Sequence, residues 1–178
     1  MYLFDKDSST PLWTYGGNSD NLDTVSISAD GEYITIGYGQ KVYLFNKESN
    51  TPLWSYGVSD GIPTITISAD GEYIVAGTSG GKVYLFDKDS DTPLWSYNTE
   101  TYVWSVAISA DGEYIAAGTG HNKVYLFHKD SSTPLWSYTT DDWVVSVAIS
   151  ADGEYIAAGS HDTKIYLFNK NSGIPLWN

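Results

Sequence analysis

Residues 104–138 read Trp104-Ser-Val-Ala-Ile-Ser-Ala-Asp-Gly-Glu-Tyr-Ile-Ala-Ala-Gly118-Thr-Gly-His-Asn-Lys-Val-Tyr-Leu-Phe-His128-Lys-Asp-Ser-Ser-Thr-Pro-Leu-Trp-Ser-Tyr138, and this stretch decides the fold. Residues 104–109 alternate and carry β-branched side chains, as a half-buried strand does. Asp111-Gly112 then makes a tight hairpin turn, because glycine accepts the positive φ that such turns need. The pattern predicts a second strand over 113–118, a polar loop over 119–122 and a third strand over 123–128. A turn over 129–133 leads to a short fourth strand over 135–138. Pro134 stands at its start, where a missing N–H does least harm. Strands two and three are apolar on both faces, so the sheet they belong to is covered on both sides. Ala116, Ala117 and Gly118 are small, which suits a crowded position.

The unit repeats. Tyr-Leu-Phe begins at Tyr2, Tyr43, Tyr84, Tyr125 and Tyr166, and Pro-Leu-Trp places Trp13, Trp54, Trp95, Trp136 and Trp177, both in steps of 41. Ser-Ala-Asp-Gly-Glu-Tyr places Asp30, Asp70, Asp111 and Asp152 in steps of 40, 41 and 41. Four-stranded units at this period, each oily on two sides, predict an all-β fold: a β-propeller of antiparallel blades around a common axis. A β-solenoid has shorter repeats and lacks the four-strand meander. The expected division is a single repeat domain over 1–178. It holds an outer half-blade at 1–17 and blades at 18–57, 58–98, 99–139 and 140–178.

Two family resemblances follow from these residues. Val106-Ala-Ile-Ser-Ala-Asp-Gly-Glu-Tyr-Ile-Ala-Ala-Gly118 resembles the first half of a WD40 repeat. Ser160-His-Asp-Thr-Lys-Ile-Tyr-Leu-Phe-Asn169 continues it, with Asp162 matching that family's loop Asp. The Gly-His pair that opens such repeats is missing and Leu-Phe replaces Trp-Asp, which weakens the case for that family's bracing tetrad. Tyr84-Leu-Phe-Asp-Lys-Asp-Ser-Asp-Thr-Pro-Leu-Trp95 instead resembles the Trp-docking motif of quinoprotein-like propellers, in which a Trp of one blade packs on its neighbour. Redox enzymes of that class use an Arg, an Asp and often neighbouring cysteines around the quinone. This chain has neither Arg nor Cys, so the resemblance implies shared packing without the chemistry, no cofactor and no enzymatic role.

Composition narrows the function classes. The 178 residues are 42% apolar and 17% charged, too apolar for disorder, and no run reaches the roughly 18 apolar residues of a membrane helix. A net charge of −13, with 22 acids against nine lysines, repels nucleic acid and anionic lipid and favours solubility. Absent cysteine excludes disulfides but leaves the compartment open. No basic-plus-apolar signal segment opens the chain. Met1 stands inside a repeat, which reads as a gene fragment or a designed protein.

Four blades make a small ring for this blade type. Two chains would supply eight inner halves and ten outer halves, so the expected assembly is an eight-bladed homodimer. In it, residues 1–17 of one chain compete with 164–178 of the other for one outer position. The alternative is a monomer that uses 1–17 as a partial fifth blade. An open ring exposes apolar blade faces, and such faces drive association.

The repeats vary mainly in two loop sets. Between strands two and three lie 38–40, 78–81, 119–122 and 160–163. Between blades lie 16–23, 57–63, 98–104 and 139–145. Strand alternation brings both sets to one face, where function on a scaffold usually lies. Candidate ligand-binding residues there are Tyr102, Trp104, His121, Asp141, Asp142, Trp143 and His161, suited to a peptide, protein or glycan ligand. The same rings could equally do no more than pack between blades. Asp87-Lys-Asp89-Ser-Asp91 has the alternating acids of a calcium loop but lacks its Gly and Glu, so it reads as a polar turn. His121, His128 and His161 show no metal-ligand spacing and read as exposed loop residues, and no metal is expected.

Overall fold

A computed structural model describes residues 1–16 and 22–178, and the predicted blade connection at 16–23 falls largely outside the described residues. The described chain is all β. A hairpin of β1 (Tyr2–Phe4) and β2 (Pro11–Thr14) precedes three four-stranded meanders. These are β3 (Leu22–Ile27) to β6 (Trp54–Gly57), with β4 (Tyr33–Tyr38) and β5 (Lys41–Asn46). The next runs from β7 (Thr64–Ile67) through β8 (Tyr73–Gly77) and β9 (Lys82–Asp87) to β10 (Trp95–Asn98). The third is β11 (Val103–Ile108), β12 (Tyr114–Thr119), β13 (Lys123–His128) and β14 (Trp136–Thr139). A last blade has β15 (Val144–Ile149), β16 (Tyr155–Ser160) and β17 (Ile165–Asn169), its fourth strand reduced to one bridge between Leu167 and Trp177. This is the β-propeller architecture, with partial blades at both ends.

Each hairpin turn is tied the same way. In the third blade, Ser109 Oγ donates to Asp111 Oδ1 at 2.6 Å, and Asp111 accepts from Glu113 N–H at 3.0 Å. Ser109 Oγ also accepts from Tyr114 N–H at 3.0 Å. Gly112 is required twice over. Its φ is +73°, and a Cβ there would strike the Tyr73 ring of the preceding blade. These turns also link the blades: Ala29 N–H donates to Ala69 O at 3.0 Å, Ala69 to Ala110 at 3.1 Å and Ala110 to Ala151 at 3.0 Å.

The core lies between blades rather than within them. Val83 and Leu85 of one blade pack on Val103, Val106, Ile115 and Ala117 of the next. Val124 and Leu126 then pack on Val147, Ile156 and Ala158. Alternation along the third strand sends Val and Leu forward to the next blade, while Tyr and Phe face backward. The docking indoles add a second link. Trp13, Trp54, Trp95 and Trp136 donate Nε1–H to the carbonyls of Lys47, Lys88, Lys129 and Lys170 at 2.6, 2.7, 2.7 and 2.8 Å. The N-terminal hairpin therefore sits on the first blade as the outer half of a preceding one. Trp13 and Tyr15 cover Phe45, Ile34 and Ile36.

Both ends of the arc leave oily surface open. Ile165 is 60% exposed, whereas Val42, Val83 and Val124 at the same repeat position are at 0%. Val25 is 54% exposed against 6%, 7% and 8% for Ile65, Val106 and Val147. Full burial of one such side chain is worth about 1.5–3 kcal/mol, so each end has a strong reason to be covered.

Candidate functional site on the loop face

In the second to fourth blades the two variable loop sets do meet on one face, and backbone hydrogen bonds tie them together. Ser79 N–H donates to Gly61 O, Gly120 N–H to Tyr102 O and His161 N–H to Trp143 O, each at 2.9 Å. On this face four of the candidate rings form a continuous ladder across the last two blades. Tyr102 and Trp104 have centroids 4.3 Å apart, Trp104 and Trp143 stack at 5.8 Å, and Trp143 and His161 stack at 5.8 Å. Packing does not hide them. Trp104 keeps 36% and Trp143 45% of its surface open.

A β-bulge explains how Trp104 reaches the ladder. Val103 pairs with Thr119 and Ser105 with Gly118, so Trp104 is an extra residue without a partner opposite. The first blade has the same irregularity between Leu22 and Thr24, which places Asp23 at the corresponding point. Asp23, Gly61, Ile62, Pro63, Ser79 and Tyr102 line a recess of about 360 Å³, so Tyr102 joins this recess to the ladder. Sequence reading missed both Asp23 and the recess. A bulge leaves no mark in the repeat spacing: the second blade lacks it and still keeps the 41-residue step from Asp70 to Asp111.

The two acids lie beside the ladder but are engaged locally. Asp141 Oδ2 takes the Lys164 ammonium at 2.9 Å, and Asp142 Oδ1 accepts from Trp143 N–H at 2.7 Å. Asp162 holds this corner together, accepting from Tyr166 O–H at 2.6 Å, Asp141 N–H at 3.1 Å and Lys164 N–H at 2.9 Å. Burial pushes its pKa up. The bonds from Tyr166 and the backbone outweigh that and hold the carboxyl below its ordinary value. Burial, and then the bond to Asp162, push the Tyr166 phenol up to about 12.

His121 does not join the ladder. It lines a separate recess of about 200 Å³ with Tyr97, Glu100 and Lys123 among others. The reading of the histidines as exposed loop residues needs correction at His128. His128 closes β13, is half-buried and meets the Tyr114 ring edge-on at 5.5 Å, because its repeat position faces the second strand. His161 is a rung of the ladder. Asp87 Oδ1 accepts from Asp89 N–H at 2.8 Å, the bond of a polar turn. Among the described residues no group of three or more His, Asp or Glu could hold a metal ion. No helix of the described residues is long and apolar enough to cross a membrane.

A family model described as outer membrane protein assembly factor BamB, built on PQQ-type repeats, matches residues 79–178. The chain belongs to this family. The match to PQQ-type repeats covers two docked indoles, Trp95 and Trp136, and the whole Tyr102–His161 ladder. It supports a blade-repeat domain of PQQ type and does not single out WD40 repeats. No curated protein matches the chain.

Proposed function

We propose that this PQQ-type repeat chain is a non-catalytic scaffold that completes its ring by joining a second copy. The observation that carries this reading is the pair of unlike open faces. The forward face at Ile165 lacks a successor and the backward face at Val25 lacks a complete predecessor, while everywhere between them these two kinds of face pack on each other. Such a head-to-tail joint forms a ring when its rotation closes. Two chains of four blades give eight. A net charge of −13 argues against nucleic acid or anionic lipid as the partner. The matched family is described as an assembly factor, with which a scaffold role agrees. The near-identical blades fit a recently amplified or designed array. Their inner halves keep the Ser-Asp-Glu turn that reads as WD40-like.

The test uses one charge at each open face. Val25→Lys and Ala148→Lys touch side chains already in solvent, so each variant keeps its β circular dichroism. Each is expected to lower the mass in solution to the 19.6 kDa of one chain. Unchanged mass in both variants counts against the reading.

The ladder favours a second role, a loop face that holds a peptide or glycan. Stacked, half-open indoles offer a flat apolar surface at little entropic cost. Trp143→Ala then abolishes retention on a glycan or peptide array while the fold persists. A wild-type protein that no array retains rules this role out.

A further inference from the structure

The open end of the arc has room for only one outer half-blade, and two segments fit it. Resting on the assembly proposed above, we infer that the closing blade is a composite: β15 and β16 of one copy paired with the β1–β2 hairpin of the other. Residues 164–178 of the first copy give way.

The backward face of the first blade is already half covered. The hairpin lies over Ile34, Ile36 and Phe45, which are buried, while Val25 and Ile27 beside them stay exposed. What is missing there is an inner pair of strands, and an inner pair is what the other end offers. Ser146, Ala148 and Tyr155 on β15 and β16 are exposed, although Ala107 and Tyr114, their counterparts in the preceding blade, pack on the next blade.

Several polar contacts continue in register across such a joint. Ala110 N–H donates to Ala151 O, so Ala151 N–H would meet Ala29 O of the second copy. Val147 N–H donates to Ser105 Oγ, so Val25 N–H of the second copy would meet Ser146 Oγ. Lys170 caps the Tyr114 ring at 4.8 Å, so Lys47 of the second copy would cap Tyr155. The Lys47 carbonyl, however, already holds Trp13 of its own chain. An intact C-terminal outer half would bring Trp177 to that same carbonyl, and both indoles cannot dock there.

The hairpin is better placed to stay. It is anchored to the first blade by Trp13, by Tyr15 edge-on to Phe45 at 4.8 Å and by Asn50 Nδ2, which donates to Thr14 O at 3.1 Å. Residues 164–178 hold their fourth strand by one bridge and leave Ile165, Ile174, Leu176 and Trp177 exposed. Tyr2-Leu3-Phe4 and Tyr166-Leu167-Phe168 are the same tripeptide, so β1 can restore on β16 the pairs of Ile156, Ala157 and Ala158 that β17 surrenders.

Cysteine pairs separate the outcomes, since the chain has none of its own. Ala157 faces Leu167 now and would face Leu3 of the second copy in the composite. On mild oxidation of the full chain, Leu3→Cys with Ala157→Cys is expected to give a covalent dimer on a non-reducing gel. Ala157→Cys with Leu167→Cys is expected to lock β17 in place and hold the protein at the monomer mass until it is reduced. A dimeric mass with no cross-link from the first pair, and with the second pair oxidised inside the dimer, overturns the composite blade and leaves the assembly standing. A wild-type mass of one chain removes the assembly itself.

Discussion

At the scale of single residues, the Ser-Ala-Asp-Gly-Glu turn shows how a short motif becomes a titration property. A hydrogen bond from Ser150 and one from the Glu154 backbone hold the Asp152 carboxyl below its ordinary value of 3.8. A carboxyl depressed in the folded state stabilises it above the unfolded pKa. That contribution is lost as pH falls through the folded pKa. Asp152→Asn is therefore expected to narrow its stability gap to wild type as pH drops below 3.8, read from urea midpoints across an acid series. A gap independent of pH contradicts the assignment. The turn was legible in the sequence because Asp-Gly restricts the backbone locally. The bulge at Trp104 was not, because it depends on which residue of β12 stands opposite.

At the scale of elements, the docking indoles make neighbouring blades one unit. Trp95→Phe keeps an aromatic ring beside Phe127 but loses the bond to Lys129 O and part of the indole's packing, so it is expected to cost at least about 1 kcal/mol in denaturant unfolding. Equal stability of variant and wild type would show that the docked indole adds nothing to the joint between blades. Strand order was legible from the 41-residue spacing, and in the third blade strand ends moved by about one residue, but the fourth strand expected of the last blade is only the bridge at Trp177. The sequence also showed that strands two and three are apolar on both faces. It could not tell Ile165 from Val124, since equal repeat positions carry equal sequence signals whether or not a neighbour follows.

At the scale of the whole molecule, stability and assembly are the same question. Each internal blade buries two faces, and the two ends of the arc leave one forward and one partly covered backward face in water. The ladder from Tyr102 to His161 spans the last two blades, so a joint at β15 and β16 also steadies the face that carries it. The candidate rings were legible as unusual loop residues. Their union into one ladder was not, because it needs the stacking of two blades. The direct measurement is the mass of the wild-type chain in solution by light scattering. Ring closure by a second copy gives twice 19.6 kDa, and a single species at 19.6 kDa contradicts it.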